Sequence, residues 1–461
     1  MPKIDAIEKV TQNRVVKFFV DNLRYTYLGN LHDSENSNIM QERLYAYLTD
    51  KGGYSDKLSR RAIDELVRTA GDLQHGLYDA NKEVYRLLKY GAKISEEAGK
   101  APKTVFFINF DNPAENDFAI AEEVTVVGNN TKRPDLVVYV NGIALAVIEL
   151  KRSSVSVSEG IRQNLTNQKA HFIEKFFTTM QFCMAGNDSE GLRYGTLLTP
   201  EKHYYEWQYD GFAEFPEERN ETDVLIEEKS KAIEHPLDKQ IFAMFYKKRF
   251  LDLIHNFIIF DKGIKKVCRY NQYYAIKRTQ CRLSKEKRGG IIWHTQGSGK
   301  TLTMIWLSKW ILANNPNARV LIVSDREELD DQIEKAYKGV NENIIRTKSG
   351  ENLVNIINSY EHRLRIREIQ TSGNTYTGLR CRNAVHWFLE DKVDTRSLNY
   401  LKDVTTEIQV QGLEIDYTCL LWGTDMRYEN GNWHFYRFNE QTKWVEQIAN
   451  TESKQECKSI C

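Results

Sequence analysis

Asp135, Glu149 and Lys151 have the residue types and the spacing to hold a divalent cation beside a scissile phosphate. Pro134-Asp135 opens one β-branched run, PDLVVYV, and Glu149-Leu150-Lys151 ends the next, IALAVIEL, with Asn141-Gly142 between them as a tight-turn signal. A hairpin of these runs brings Asp135 to the end that carries Glu149. Alternate side chains of a strand share a face, so Glu149 and Lys151 project together while Leu150 faces the core. Two neighbouring carboxylates make a hard-oxygen site for Mg²⁺, and a nearby lysine can orient or activate the attacking water and steady the charge on the phosphate. The bland alternative is a salt bridge at a strand end. Glu149, however, closes an otherwise apolar run, where an ionised group is costly unless something pairs with it.

A second pattern, IIWHTQGSGKT, reads as strand, loop and helix. Gly297 and Gly299 let the backbone turn so that the N–H groups of a loop including Thr295 and Ser298, with the N-terminus of the following helix, surround phosphate oxygens. Lys300 would reach the β/γ-phosphates and Thr301 would hold Mg²⁺, which makes ATP·Mg²⁺ the expected ligand. His294 stands where the strict pattern has its first glycine. Further on, VLIVSDREELDDQI is a second strand and helix, in which Asp325 and Arg326 could instead cap the helix.

The elements that must position these residues are legible as periodicities. Residues 1 to about 100 carry three- and four-residue apolar steps, as in RAIDELVRTAGDLQHGLYDANKEVYRLLKY, and read as helical. From Thr104 the runs TVFFINF, EEVTVVG, PDLVVYV and ALAVIEL predict a sheet, and helix returns after Ser158. After Gly290 strand and helix alternate, which implies a parallel sheet that starts with GIIW as a buried strand. The chain of 461 residues balances 64 Lys+Arg against 64 Asp+Glu, which excludes a uniformly basic nucleic-acid coat. The charge is polarised locally: residues 201–230 are acidic, and residues 247–288 carry thirteen bases against three acids, either a solvated face or a phosphate-tracking surface. MPKIDAIEKV is not a signal sequence, no apolar run is long enough to cross a bilayer, and the 7 Cys form no C-x-x-C pair, so a cytoplasmic protein without a zinc site is expected.

The carboxylate–carboxylate–lysine cluster resembles the PD-(D/E)xK nucleases. Joined to HTQGSGKT and VLIVSDREELDDQI, it is similar to the restriction (R) subunit of type I restriction-modification enzymes over about residues 1 to 355. The resemblance implies an α/β chain: a PD-(D/E)xK nuclease domain with a mixed sheet and a helical N-terminal part at 1–255, then an incomplete RecA-like P-loop helicase domain at 256–355. It implies ATP-dependent, Mg²⁺-requiring cleavage of double-stranded DNA in company with modification (methyltransferase) and specificity subunits. It adds Gln163 as a catalytic residue, although the Tyr that often follows four positions later is Asn167, and Gln272 as an adenine-reading residue. No Asp-Glu-x-His motif occurs between Thr301 and Cys461, so the motor is expected to bind ATP and turn it over poorly. Residues 356–461 form a divergent RecA-like segment, and about 370 to 445 resemble the end of a DUF2075-type P-loop ATPase, with Gln411-Gly412-Leu413-Glu414 as its late motif. The strands EIQVQG and DYTCLLWG are expected to add to the sheet holding Gly290 to Trp293 and Val320 to Ser324. The alternative function is a non-catalytic nucleotide- and DNA-binding assembly subunit.

Overall fold

A computed structural model describes residues 4–97, 101–208, 221–285, 290–295, 297–315, 318, 320–324, 327–340, 344–346, 364–368, 426–429, 432–439 and 444–447. Its helices are α1 (Ile4–Asp21), α2 (Gln41–Ala46), α3 (Asp56–Gly71), α4 (Leu77–Tyr90), α5 (Val157–Asn167), α6 (Glu221–Ser230), α7 (Pro236–Phe245), α8 (Lys247–Asn256), α9 (Tyr270–Lys285), α10 (Lys300–Asn314) and α11 (Glu327–Gly339). Strand β1 (Thr26–Asn30) and the ribbon β2 (Ala92–Ile94) and β3 (Lys103–Val105) lie in the N-terminal part. Next come β4 (Phe118–Glu122), β5 (Leu136–Val140), β6 (Ile143–Leu150), β7 (Phe182–Asn187), β8 (Gly191–Gly195) and β9 (Tyr205–Glu206).

The largest described sheet is mixed and seven-stranded, in the order β1-β4-β5-β6-β7-β8-β9. β5 and β6 form the expected hairpin. Asn141 and Gly142 turn it with φ +53° and +79°, the two positive values that a two-residue turn of this hand requires. The Asn141 side chain is wholly buried, accepting from the Asp117 N–H (2.7 Å) and donating to the Phe107 carbonyl (2.9 Å). Every residue of β5 and β6 is buried, because helices and loops cover both faces. Leu136, Val138, Ile148 and Leu150 join one core, while Val137, Tyr139 and Val147 join another with Val157 and Ile161 of α5. Each such aliphatic side chain contributes about 1.5–3 kcal/mol. The pairing register shifts between Val138 and Tyr139, so β6 carries an extra residue there.

Local chemistry sets the helix starts. Ser55 and Ser156 cap α3 and α5, accepting from the Leu58 and Ser158 N–H groups. Leu58, Ala62, Ile63, Leu66 and Ala70 are the buried stripe of α3. No described helix is long and apolar enough to cross a membrane.

Three expectations need correction. The N-terminal region is not helical throughout, because β1 pairs in parallel with β4 about ninety residues on. EEVTVVG is not a strand. The strand is FAIAE just before it, and the chain leaves the sheet at Glu123, which has φ +50°. GIIW is not a buried strand either, for Ile291 and Trp293 are each 87% exposed and no described strand pairs with residues 290–293.

Beyond the sheet, β10 (Ile258–Asp261) and β11 (Ile264–Val267) form a hairpin. β12 (Val320–Ser324), β13 (Ile345–Arg346) and β14 (Leu364–Glu368) form a parallel sheet in the order β12-β14-β13. The described neighbour of β12 is therefore β14, whereas EIQVQG and DYTCLLWG lie outside the described residues, as do Asp325, Arg326 and Gln411 to Asp416. All these elements belong to one compact unit, Met1–Thr375. The other unit, Tyr376–Cys461, holds the antiparallel strands β15 (Met426–Glu429), β16 (Asn432–Asn439) and β17 (Trp444–Gln447).

The basic block at 247–288 is neither wholly a solvated face nor wholly a phosphate track, since two of its cations are core residues. Arg249 is 1% exposed, ion-paired with Asp223 and stacked within 5.3–5.5 Å of the ring centroids of Trp207, Tyr273 and Tyr274. Lys265 is 2% exposed and donates to Asn81 Oδ1 (2.8 Å), the Met180 carbonyl (3.0 Å) and Gln181 Oε1 (2.7 Å). Asp223→Ala would leave Arg249 buried without its counter-charge. It should cost about 3–5 kcal/mol in urea denaturation, whereas the paired replacement Asp223→Leu with Arg249→Met should recover most of that. A single variant as stable as the parent would contradict this.

Candidate active site

The end of the β5–β6 hairpin brings Asp135, Glu149 and Lys151 together. The Leu150 N–H donates to Asp135 Oδ2 (2.7 Å), which ties the start of one strand to the end of the other. Lys151 Nζ lies 4.0 Å from the same oxygen, and both side chains are mostly buried. Glu149 is 0% exposed. Burial pushes its carboxyl well above the usual carboxylate range, and the Asp135 carboxylate beside it acts in the same direction while Lys151 opposes it.

Helix α5 completes the cluster from the other side of Glu149. Gln163 Nε2 donates to Glu149 Oε2 (2.7 Å), so the sequence-derived Gln163 stands at the carboxylate. Asn167 Nδ2 reaches Glu149 Oε1 at 3.5 Å and takes up the other oxygen. Gly160 permits the close approach, because a Cβ there would lie 2.9 Å from Ala185 Cβ and 3.4 Å from Glu149 Cβ. Asn164 Nδ2 fastens the helix to the sheet at the Met184 carbonyl (2.8 Å). Behind Asp135, Gln12 of α1 donates to Glu122 Oε2 (3.1 Å) and reaches the Asp135 carbonyl at 3.5 Å. Sequence reasoning missed this support, since it placed Glu122 outside any element other than a misassigned strand. Asn167 had a signal, its spacing from Gln163.

The two neighbouring carboxylates, mostly buried and with Lys151 beside Asp135, suit a divalent cation that would relieve their mutual repulsion. Among the described residues no group of three or more His, Cys, Asp or Glu side chains is placed to hold a metal ion.

The glycine loop forms a separate constellation. Gly297 and Gly299 have φ +75° and +83°, and α10 starts at Lys300 directly after the left-handed Gly299. Lys300 Nζ lies back over the loop, 3.1 Å from each of the His294 and Thr295 carbonyls. The Ser298 hydroxyl is buried and has no hydrogen-bond partner among the described residues. Thr301 sits in the first turn of α10. An orphaned buried hydroxyl within a loop of left-handed glycines that opens a helix fits a phosphate group. Gln272 is 2% exposed. Its Nε2 donates to the Gly299 carbonyl (2.9 Å) and its Oε1 accepts from the Arg269 N–H (2.8 Å), so the amide joins the loop to the start of α9. A side chain at position 299 would collide with it, its Cβ lying 2.4 Å from Gln272 Nε2.

Comparison with known proteins gives a family match over the region of each constellation. Residues 6–203 match the model of the type I restriction enzyme R protein N terminus, and residues 271–393 match that of the SWI2/SNF2 ATPase. Two similar proteins of Methanocaldococcus jannaschii are the putative type I restriction enzyme MjaIXP and MjaVIIIP endonuclease subunits. Each is 28% identical, over 56% and 64% of this chain and 26% and 28% of the relative. The type I restriction enzyme HindI endonuclease subunit of Haemophilus influenzae is 26% identical over 61% of this chain and 27% of its own length. The chain thus spans about a quarter of the length of these curated relatives. With an R-protein N-terminal region followed by an ATPase match, the chain's resemblance to the restriction (R) subunit of type I restriction-modification enzymes is shown.

Proposed function

We propose that this chain carries the nuclease and the nucleotide-binding loop of a type I restriction subunit. It would cut double-stranded DNA with Mg²⁺, under ATP control, in the cytoplasm and together with modification and specificity subunits. The observation that carries the reading is the wholly buried Glu149 carboxyl beside Asp135, with Lys151 4.0 Å from Asp135. On this reading the N-terminal sheet is a PD-(D/E)xK nuclease fold, and the segment from α9 to β14 is part of a RecA-like domain.

Asp135 and Glu149 would hold the Mg²⁺, which when bound supplies a Lewis acid for the phosphodiester oxygen and lowers the pKa of a water. Gln163 and Asn167 fix the Glu149 carboxylate by donating to its two oxygens, so that its orientation does not have to be found anew at each turnover. The Lys151 ammonium offsets negative charge at the phosphate and orients the attacking water. At the glycine loop, backbone N–H groups and Lys300 would bind the phosphates of ATP, and Thr301 the accompanying Mg²⁺. Turnover should be slow, because the 461 residues contain no Asp-Glu-x-His after the loop.

Plasmid DNA incubated with the purified chain, Mg²⁺ and ATP is the test. Nicked or linear product is expected from the parent chain, and Lys151→Ala should lower its rate at least about 10²-fold while leaving ATP binding intact. Lys300→Ala should weaken ATP binding and, with it, the ATP-controlled cutting. DNA and ATP binding without any cutting, under all divalent ions tried, would favour the non-catalytic assembly subunit instead.

Titration of Glu149 gives a second check. A carboxyl whose folded pKa lies above its unfolded one binds its proton more tightly in the folded state. Its contribution to stability is therefore fully present below the ordinary value of 4.5 and is lost as pH rises through the raised folded value. Glu149→Gln should accordingly be more stable than the parent at pH 8, with a flatter pH dependence, and Mg²⁺ should stabilise the parent but not the variant. Thermal denaturation in metal-free buffer at pH 5 and pH 8 reads this; equal stability at both pH values would contradict it.

A further inference from the structure

Arg269 precedes α9 and faces two constellations at once. One guanidinium nitrogen donates to the Gly297 carbonyl of the glycine loop (3.0 Å), and another donates to the Tyr205 hydroxyl (2.9 Å), with the guanidinium 4.5 Å from the centre of the Tyr205 ring. With Gln272 on the Gly299 carbonyl, the start of α9 grips the loop at two carbonyls. Tyr205 belongs to β9, the edge of the seven-stranded sheet. From it the pairing register runs in one row: Tyr205 opposite Tyr194, Tyr194 opposite Met184, Met184 opposite Ile148, and Ile148 opposite Leu136. The last two positions are the immediate neighbours of Glu149 and Asp135. Four strand spacings make the row about 19 Å long. Tyr194 fastens it a second time, its hydroxyl donating to the carbonyl of Cys268, the residue before Arg269 (3.0 Å).

We infer that Arg269 is a positioning residue that ties the glycine loop to the row of the sheet ending at Asp135 and Glu149, so that nucleotide at the loop tightens the sheet at the carboxylates. The inference rests on the nucleotide reading of the loop given above. Only a planar fork with several N–H donors serves a carbonyl and a hydroxyl on opposite sides while stacking on a ring, so lysine is no substitute. A sheet row is a contiguous hydrogen-bonded element, and hydrogen exchange along it reads the coupling.

The measurement is amide hydrogen exchange of peptides covering 143–151 and 182–208, with Mg²⁺ alone and with Mg²⁺·ATP, on the parent, Arg269→Ala, Arg269→Lys and Tyr205→Phe. Affinity is read separately from a fluorescent ATP analogue. In the parent, ATP should slow exchange in both peptides beyond the effect of Mg²⁺. Arg269→Ala should bind nucleotide about tenfold more weakly, the scale of one charge-assisted hydrogen bond, and show no slowing at matched saturation. Arg269→Lys should behave like Arg269→Ala. Tyr205→Phe touches the loop only through Arg269, so it should keep parental affinity yet lose the slowing. Slowing that persists in Tyr205→Phe would overturn the inference, as would a rise in exchange that is the same with and without ATP, the mark of a merely structural role. If the parent binds no nucleotide, the nucleotide reading fails and the inference falls with it; if it binds but the variants still respond, the inference fails alone.

Discussion

A carboxyl group with no access to water, at the end of a strand buried on both sides, has to be stabilised by its neighbours, and Glu149 is that group. The hydrogen bonds around it satisfy both of its oxygens, but with neutral amides, and the adjacent Asp135 makes the ionised form harder to keep. Much of the surrounding architecture follows from this demand. α5 must lie close enough for Gln163 and Asn167 to reach, which requires Gly160 at the contact, Asn164 on the Met184 carbonyl and Ser156 at the cap. A well-packed apolar core would not tolerate such a charge pair. Under the proposed nuclease reading, a divalent cation would offset the two carboxylates.

Charge elsewhere is handled differently, and the contrast separates scaffold from site. Arg249 has a carboxylate and three aromatic rings; Lys265 has three neutral acceptors and no carboxylate among its hydrogen-bond partners. Burial holds the Lys265 ammonium well below its usual pKa. Arg249 ties α8 to α6 and α9, and Lys265 ties the β10–β11 hairpin to α4 and to the segment just before β7; α9, with its grip on the glycine loop, follows that hairpin in the chain. The loop therefore belongs to the same compact unit as the carboxylates.

The local parts of this design were legible in the sequence. Asn141-Gly142 specified the turn, the period-2 runs specified its two arms, and the hairpin then placed Asp135 beside Glu149. The glycine loop and the helix at Lys300 were legible for the same reason. Contacts distant along the chain were not: β1 exists because β4 offers it a parallel edge, which no pattern near Thr26 announces. EEVTVVG has strand-forming residues, but Glu123 adopts a left-handed conformation and breaks the run, while the alanine-rich FAIAE is the true strand. The bulge in β6 and the burial of Arg249 and Lys265 were equally hidden, since an isolated charge count cannot tell a surface from a core. GIIW reads as a strand from composition alone, yet no described strand lies beside it.

The most direct measurement on the cation site is a titration of the nucleotide-free chain with Mn²⁺, followed by electron paramagnetic resonance, on the parent and on Asp135→Asn and Glu149→Gln. If Asp135 and Glu149 form the centre of a nuclease, the parent binds a Mn²⁺ that each substitution abolishes or greatly weakens and that Lys300→Ala leaves in place. Binding that survives both carboxylate substitutions, or no binding in the parent, would contradict the account.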